Sequence, residues 1–402
     1  MSTQRKLFWI AILYFAEGFP FGLVVDNLPV YFRAHGVSLQ AIGMLSVLGL
    51  PWSLKVFWAP LVDRFGERRH WITAALVVMA LATAAIPLTD ASAPGTVLFG
   101  LVLTLTIASA TQDIAIDAYT IGLLAPGEEG VANGVRVSAY RAALIVGGGA
   151  LVILAGWIGW APLYWTAAAV LAALAAAAWL APPIAIARRP ATEWWRAFVA
   201  WLGRPGAAAV LAFVLLYKLG DASMGPMVKP FWIDRGLSVE EIGFVSTTLG
   251  VAASVAGALV GGVFTSRAGI FRALWALGLL QAVSNLGYAA VAFAHGGRIA
   301  IYAASLVESF TGGLGTAAFL AFLMHICERE HAATQYALLS ALFGFTRSLA
   351  GAVSGVGASR LGYAPYFAAT FALALPAYAL LPWLRPWIHD RPSRSGERQS
   401  AR

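Results

Sequence analysis

The chain has 402 residues, of which 60% are hydrophobic and only 11% are charged, and its net charge is +8. Because an average soluble domain carries about a quarter charged residues, this composition excludes an ordinary soluble fold. A membrane-spanning helix needs roughly 20 apolar residues, so about a dozen such segments with short loops account for the length. Cys327 is the only cysteine, which excludes a disulfide framework and a cysteine-ligated metal site.

Twelve apolar segments, separated by Gly, Pro and charged residues, predict an all-α membrane protein. The first segment is not followed by a small-residue cleavage site, so we expect it to be retained as a span. The predicted spans are residues 7–32, 42–62, 71–88, 97–123, 131–154, 160–180, 208–233, 242–264, 271–293, 300–327, 334–361 and 364–384.

An internal repeat is visible at an offset of about 200 residues. The sequence GVSLQAIG at 36–43 matches GLSVEEIG at 236–243, and GWAP at 159–162 matches GYAP at 362–365. A duplicated six-helix unit explains matches that occur in the same order. We therefore predict two pseudo-symmetric six-helix bundles joined by an amphipathic cytoplasmic linker and followed by a basic cytoplasmic tail. Their bounds are 1–181, 182–206, 207–385 and 386–402.

Basic residues collect in alternate loops and in both tails, which places both termini in the cytoplasm by the positive-inside rule. The same distribution explains the positive net charge as a topology signal, so we expect no nucleic-acid partner. The expected partners are a small-molecule substrate and the lipid bilayer. We expect a monomer in the bacterial inner membrane.

Charged side chains inside the spans are candidates for a functional site, because each charge at mid-membrane costs about 2.5 to 3.5 kcal/mol. Asp26 and Lys229, near span ends, are interpreted as ion-paired or snorkelling residues. Of the remaining charges, those near mid-span are the better candidates for function. The acids singled out are Glu17, Asp26, Asp113, Asp117, Asp221 and Glu308; the bases singled out are Lys55, Arg141, Lys218, Lys229 and Arg347.

Asp113 and Asp117 are four residues apart, which places both carboxylates on one face of a helix. Two carboxylates that close tend not to ionise together, so the pair is a candidate proton carrier. The alternative is that one or both brace a basic neighbour such as Arg64, Lys55 or Arg141. The sequence alone leaves both interpretations open.

Four motifs resemble known transporter families. DRFGERR at 63–69 resembles the major facilitator signature between the second and third helices. YFAEGFPFG at 14–22, LKVFWAPLVD at 54–63 and ATQDIAIDAY at 110–119 resemble the AmpG-type muropeptide permeases and acetyl-CoA transporters. They are also similar to siderophore importers of the rhizobactin and pyochelin type. The resemblance covers nearly the whole first half and is weaker in the second.

The resemblance implies the major facilitator fold, with inward, proton-driven transport in which Lys55, Gln112, Asp113 and Asp117 are functional. In that fold the third, sixth, ninth and twelfth spans face lipid, and none of these four spans carries a charge near its middle here. AmpG-type permeases commonly carry two further helices, for which this chain has no room. The signature residues expected at the cytoplasmic gate are Asp63, Arg64, Gly66, Arg68 and Arg69.

The leading hypothesis is a proton-coupled importer of a bulky anionic solute such as an anhydromuropeptide. Sugar rings would contact aromatic side chains such as Phe15, Trp52, Trp58 and Tyr140, and peptide carboxylates would bind arginine or lysine. Asp113 and Asp117 are the predicted proton-coupling residues. The predicted substrate-binding residues are Glu17, Lys55, Gln112, Tyr119, Arg141, Lys218, Glu308 and Arg347.

Other functions are less well supported. A siderophore or acetyl-CoA transporter of the same fold would favour a denser basic cluster. A membrane enzyme would need chemistry that the sequence lacks, since there is no His-rich metal cluster, Gly-x-Ser-x-Gly motif or Walker A loop. A substrate sensor would need a signalling domain, and the short tail contains none. We expect no metal or cofactor, with the proton gradient as the energy source.

Overall fold

The computed structural model describes residues 1–124, 128–184, 199, 201–327 and 332–389. Within these ranges, twelve helices are long and apolar enough to cross a membrane. They are α1 (Thr3–Ala34), α2 (Leu39–Phe57), α3 (Arg68–Leu88), α4 (Thr96–Leu123), α5 (Val131–Ile158), α6 (Trp160–Trp179), α7 (Ala207–Asp234), α8 (Val239–Ala268), α9 (Ile270–Phe293), α10 (Arg298–Ile326), α11 (Leu338–Leu361) and α12 (Tyr363–Ile388).

Each predicted span coincides with one of these helices, so the all-α membrane fold is confirmed. The second predicted span is the one that the structure divides. The 3₁₀ segment Leu45–Gly49 interrupts α2, a second one, Lys55–Phe57, ends it, and a separate short helix, Ala59–Arg64, follows. Pro51 and Pro60 lie at the starts of the helical pieces, where the missing N–H of proline is tolerated.

The described residues form two compact units. Unit 1 comprises those of Met1–Arg189, Gly225–Val251 and Ser348–Gly362. Unit 2 comprises those of Pro190–Met224, Ala252–Arg347 and Tyr363–Arg402. Parts of α7, α8 and α11 thus belong to unit 1, although they follow the predicted linker. The division into bundles by the sequence repeat stays a prediction. The predicted amphipathic residues 193–196 and the tail from 390 onward lie outside the described residues.

Unit 1 contains close contacts between helices from both sequence halves. The Arg33 guanidinium donates to both carboxylate oxygens of Asp234, with Nε at 2.6 Å from Oδ1 and Nη2 at 2.7 Å from Oδ2. Lys229 forms an ion pair with Asp26. These pairs join α1 to α7, and they place Asp26 and Lys229 in the structural role that the sequence suggested.

Unit 2 has an aromatic core between α7, α10 and α12. The rings of Tyr217 and Phe319 are stacked with centres 5.3 Å apart, and Phe213 packs edge-on against Phe322. Trp201 is buried, and its indole N–H donates to the carbonyl of Ile326 at 3.4 Å. The chain is therefore anchored in this core just before α7 begins.

The repeated GVSLQAIG-type segments have the same local structure. Gly36 and Gly236 have φ of +78° and +72°, in the left-handed region that favours glycine. Ser38 and Ser238 then cap the next helix, since each hydroxyl accepts from the backbone N–H three residues later. The sequence repeat is thus also a structural repeat at these helix-to-helix turns.

Candidate functional site

Five charged residues of unit 1, of which Asp113 is buried, come together between α1, α2, α4 and α5. Five residues form this group, which we call the α4 charge cluster: Glu17, Lys55, Asp113, Asp117 and Arg136. Glu17 interacts electrostatically with each of the other four. The cluster therefore unites charged residues from all three AmpG-type motifs with one arginine that the sequence analysis did not single out.

Glycines in the YFAEGFPFG motif explain why α5 comes so close to α1. A Cβ atom on Gly18 would lie 2.7 Å from the backbone oxygen of Tyr140, and one on Gly22 would lie 3.0 Å from the backbone nitrogen of Gly148. Because only glycine fits at both points, the two helix backbones can pack directly against each other. This packing brings the side chains around Glu17 next to those of α5.

Asp113 is paired with the lysine of α2. The exposed fraction of Asp113 is 7%, and its Oδ2 atom lies 3.3 Å from Nζ of Lys55. Its other oxygen, Oδ1, is buried and has no hydrogen-bond partner among the described residues. Lys55 belongs to the 3₁₀ segment that ends α2, so the interruption of this helix places the lysine beside α4.

Asp117 has different partners, although it lies one turn further along the same helix. The hydroxyl of Tyr14 donates to its Oδ1 atom at 2.7 Å, and Nη2 of Arg136 lies 3.3 Å from the same oxygen. The Arg136 guanidinium also stacks over the Tyr14 ring, 4.6 Å from its centre. Of the basic neighbours suggested from the sequence, Lys55 is used by Asp113, whereas Asp117 uses Arg136.

Arg136 is the functional candidate that sequence reasoning missed. It lies inside the predicted span 131–154, but in a polar stretch near its start, where a charge can belong to the membrane boundary. A sharper signal was available, because Arg136 and Arg141 are two cations in one span and the span before it carries two aspartates. The ion pair between Arg136 on α5 and Asp117 on α4 joins two different helices, so a pattern along one helix could not reveal it.

Glu17 belongs to the same cluster but has no partner of its own. It follows Tyr14 by three residues, which places it on the same side of α1. Its Oε2 atom is buried, and the carboxylate makes neither a hydrogen bond nor an ion pair with the described residues. The three carboxylates of the cluster thus face only two cations.

Gln112 and Tyr119, also predicted to bind substrate, are fully covered in this structure. Gln112 is 0% exposed, and neither atom of its amide has a hydrogen-bond partner among the described residues. The Tyr119 ring is buried, and its hydroxyl donates to the carbonyl of Pro182 at 2.8 Å. Gln112 therefore keeps free hydrogen-bonding capacity inside unit 1, whereas the Tyr119 hydroxyl is already used.

Aromatic side chains lie beside the cluster. The ring centres of Phe21 and Trp52 are 4.9 Å apart, and those of Phe21 and Tyr140 are 6.2 Å apart. The indole N–H groups of Trp52 and Trp58 donate to hydroxyls on α4, at 3.1 Å in each case. Phe21 is thus an aromatic neighbour that the sequence analysis did not name.

Arg141 lies on α5, five residues after Arg136, and is half-buried. Unlike Arg136, it makes no hydrogen bond or ion pair within the described part of the chain. A guanidinium in this state has all five N–H donors available to a ligand. Arg347, the corresponding candidate of α11, belongs to unit 2 and is exposed.

A second charge cluster lies inside unit 2, between α7, α9 and α10. Nζ of Lys218 donates to Oε1 of Gln281 at 2.6 Å, and it lies 3.4 Å from both Asp221 Oδ2 and the carbonyl oxygen of Gly312. Glu308 interacts electrostatically with both Lys218 and Asp221. Lys218 is thus surrounded by three protein acceptors in this structure.

The signature motif forms a tight turn after α2. Gly66 has φ of +68°, which explains a glycine at this position. Arg68 is buried and donates to the carbonyl of Val62, and Nε of Arg69 lies 2.7 Å from Glu67. The side chains of Asp63 and Arg64 lie outside the described set, so their gate role stays a prediction. Across the described residues, no group of three His, Cys, Asp or Glu side chains could hold a metal.

Comparison with known proteins gives the family. The family model described as Major Facilitator Superfamily matches residues 10–307. The anhydromuropeptide permease of Escherichia coli (strain K12) is 36% identical over 388 residues, which cover 92% of this chain and 78% of that protein. The chain belongs to the anhydromuropeptide permease family of the major facilitator superfamily. The similarity extends well into the second half, further than the motifs alone indicated.

Solved structures agree on the fold. A bacterial homologue of the human lysosomal transporter Spinster, solved in an inward-facing, unoccupied conformation, superposes with a TM-score of 0.78. It is 15% identical, over 97% of this chain and 98% of that one. The nucleoside transporter NupG gives a TM-score of 0.71 at 16% identity, over 97% of this chain and 100% of that one. This permease homologue is therefore a multi-pass inner-membrane protein with the major facilitator fold, in a family of transporters.

Proposed function

We propose that the protein is a proton-coupled secondary transporter that imports a bulky anionic solute, an anhydromuropeptide-type cell-wall fragment, by alternating access. The observation that carries the substrate assignment is the 36% identity to the anhydromuropeptide permease over 388 residues. The distribution of basic residues between loops supports cytoplasmic termini. It therefore also supports placing the signature motif at 63–69 on the cytoplasmic side of the membrane.

The α4 charge cluster supports proton coupling. Charges buried in a membrane protein are costly and are retained mainly where they serve ion or substrate movement. Here Asp113 is 7% exposed and shares a cluster with two further carboxylates. A site that binds and releases a proton within unit 1 is what a proton-driven transporter of this architecture requires.

Arg141 and the aromatic group of Phe21, Trp52 and Tyr140 support recognition of a glycopeptide. The rings offer flat surfaces for sugar faces, and the guanidinium offers a bidentate partner for a peptide carboxylate. Gln112, which is covered in this structure, adds an amide without a hydrogen-bond partner among the described residues, and it would reach a substrate only in a conformation that uncovers it. These groups combine an apolar surface with a few oriented polar groups, as small-molecule sites generally do.

Uptake into proteoliposomes tests the proposal directly. The purified chain is reconstituted with an imposed pH gradient and offered an anhydromuropeptide, a ferric siderophore or acetyl-CoA, with protein-free liposomes as the control. We expect accumulation of the anhydromuropeptide alone, and its loss when the gradient is collapsed with a protonophore. Accumulation of either other solute in its place contradicts the substrate assignment, and uptake that ignores the gradient contradicts the coupling.

Replacement of the paired aspartates tests the coupling site. Asp113→Asn and Asp117→Asn keep the side-chain shape and remove one negative charge from the cluster, so gradient-driven accumulation should collapse while the protein still folds and inserts. Asp234→Asn, which removes a carboxylate from the α1–α7 ion pair outside the cluster, is the matched control. Undiminished accumulation in both cluster variants would assign these aspartates a structural role.

A further inference from the structure

The α4 charge cluster has one carboxylate more than it has cations. Glu17, Asp113 and Asp117 supply three negative charges when ionised, and Lys55 and Arg136 supply two positive charges. Each aspartate has its own cation, Lys55 at 3.3 Å from Asp113 and Arg136 at 3.3 Å from Asp117. The unmatched charge is therefore localised by the geometry on Glu17.

One oxygen of the half-buried Glu17 carboxylate lacks the donors that an ionised carboxylate needs. Its Oε2 atom is buried without a hydrogen-bond partner among the described residues, and so is Oδ1 of Asp113 in the same cluster. The hydroxyl of Tyr14, the neighbouring donor on α1, is already given to Asp117. An ionised carboxylate buried without donors or a counter-ion is strongly disfavoured, so such a group binds a proton instead.

The titratable groups that interact with Glu17 come from four helices. Tyr14 lies on α1, Lys55 on α2, Asp113 and Asp117 on α4, and Arg136 on α5. Arg141 is the next cation along α5, and it makes no ion pair with Glu17. Among the described residues, no further cation is matched to this carboxylate.

We propose that Glu17 is the residue that holds the exchanged proton, and that Asp113 and Asp117 act as positioning residues that keep the two cations away from it. The proposal rests on the proton-coupled function proposed above. Its step is a simple protonation: a proton from water on one side forms the O–H bond at Glu17 and returns to water on the other side. Release follows when the rearrangement of α2 or α5 offers Glu17 one of the cations.

Charge counting makes the proposal testable without substrate. Infrared spectroscopy of the purified full-length protein, compared in H₂O and D₂O, reports the C=O band of protonated carboxylic acids. Relative to wild type, Glu17→Gln should lose one protonated acid. Asp113→Asn should lose the same band, because Lys55 then becomes available to an ionised Glu17. Lys55→Gln should gain one, because a second carboxylate is left without a cation. Asp234→Asn, outside the cluster, should leave the spectrum unchanged.

This pattern separates the proposal from a purely structural role. If Glu17→Gln keeps the full wild-type band, the proton is held elsewhere and the proposal is overturned. If Asp113→Asn keeps the band, the cluster does not follow charge balance, which overturns it as well. Size-exclusion profiles identify any variant that fails to fold, and the remaining two cluster variants still carry the test.

Transport then links the proton site to coupling. In proteoliposomes, Glu17→Gln should lose the accumulation of anhydromuropeptide driven by the pH gradient, whereas Asp234→Asn, outside the cluster, should retain it. Gradient-driven accumulation at the wild-type level in Glu17→Gln contradicts the proposal. Absence of proton-coupled uptake by the wild type would refute the proposed function instead, whereas the infrared pattern is independent of that outcome.

Discussion

Asp117 and Glu17 are carboxylates of the same cluster, yet their surroundings differ completely. Asp117 accepts from Tyr14 at 2.7 Å and pairs with Arg136, whereas Glu17 makes no hydrogen bond or ion pair with any described residue. Since both groups are carboxylates, the difference between their roles comes from their neighbours. At the scale of single residues, the site is therefore defined by which carboxylate receives the available hydrogen-bond donors.

Arg141 offers a test of substrate recognition at this scale. Arg141→Lys keeps the positive charge but loses the planar fork that binds a carboxylate with two hydrogen bonds. We expect substrate affinity to fall by about 1 to 3 kcal/mol, the usual cost of leaving a buried hydrogen-bonding group without its partner. Binding titration of the reconstituted protein measures the change. Arg347→Lys, on α11, is predicted to behave in the same way.

The matched control for this prediction is the substrate itself. With its acidic groups removed, wild type and Arg141→Lys should bind it equally, because the fork no longer has a carboxylate to hold. If both arginine variants transport the native substrate normally, the arginines act as point charges or structural partners, and the bidentate contact is refuted.

Glycines set how closely the helices pack in both units. In unit 1 a Cβ atom on Gly243 of α8 would lie 2.7 Å from the backbone oxygen of Gly149 of α5. In unit 2 a Cβ atom on Gly257 of α8 would lie 2.0 Å from the backbone oxygen of Phe310 of α10. Without a hydrophobic force between helices in lipid, such close packing is a main source of association.

The α8–α10 crossing gives a prediction at the scale of elements. Gly257→Ala should lower the free energy of unfolding by about 1 to 3 kcal/mol, because the added methyl group meets backbone that cannot move aside. Gly262→Ala on the same helix, where nothing lies within 4 Å of the added Cβ, should be neutral or stabilising by up to about 1 kcal/mol. Unfolding of the two variants in detergent measures the difference. Equal stability of the two variants would contradict the crossing.

Short 3₁₀ and π-helical segments interrupt the regular α-helices near the site and orient its side chains. The 3₁₀ segment Lys55–Phe57 ends α2 and places Lys55 beside Asp113. Among the described residues of unit 1, three segments are π-helical, at Leu23–Asn27, Ile145–Ala150 and Ile242–Leu249. Such departures from regular helices are common at functional sites, because they re-orient the residues that follow. The gate and charge motifs therefore adjoin the least regular helices.

At the scale of the whole molecule, access to water should differ between two kinds of helix. α1 and α7, which carry charges within the membrane, should line a water-filled path, whereas α3 and α9, whose charges lie only in their first turns, should face lipid. In a Cys327→Ser background, Phe21→Cys and Ala222→Cys should react with a membrane-impermeant maleimide. Leu81→Cys and Leu280→Cys should not, although both side chains are exposed at the protein surface. Equal labelling of both sets would refute the assignment of inner and outer helices.

The positions of the twelve spans along the sequence were predictable, because hydropathy is a property of each local segment. About 20 consecutive apolar residues must cross the hydrocarbon whatever surrounds them, and all twelve spans were located from that requirement. The shared helix face of Asp113 and Asp117 followed from helix periodicity alone, and both residues do enter one charge cluster. The family followed from motifs that lie on these same helices.

The partners of each charge depended on the tertiary structure. Tyr14 and Asp117 are 103 positions apart, Lys55 and Asp113 are 58 apart, and Lys229 and Asp26 are 203 apart. Hydropathy and periodicity describe one helix at a time, so they identify which residues are charged and which face they share, but not which helix lies opposite. Helix packing alone decided that Arg136 belongs to the cluster, that both aspartates have cations, and that Glu17 has none among the described residues.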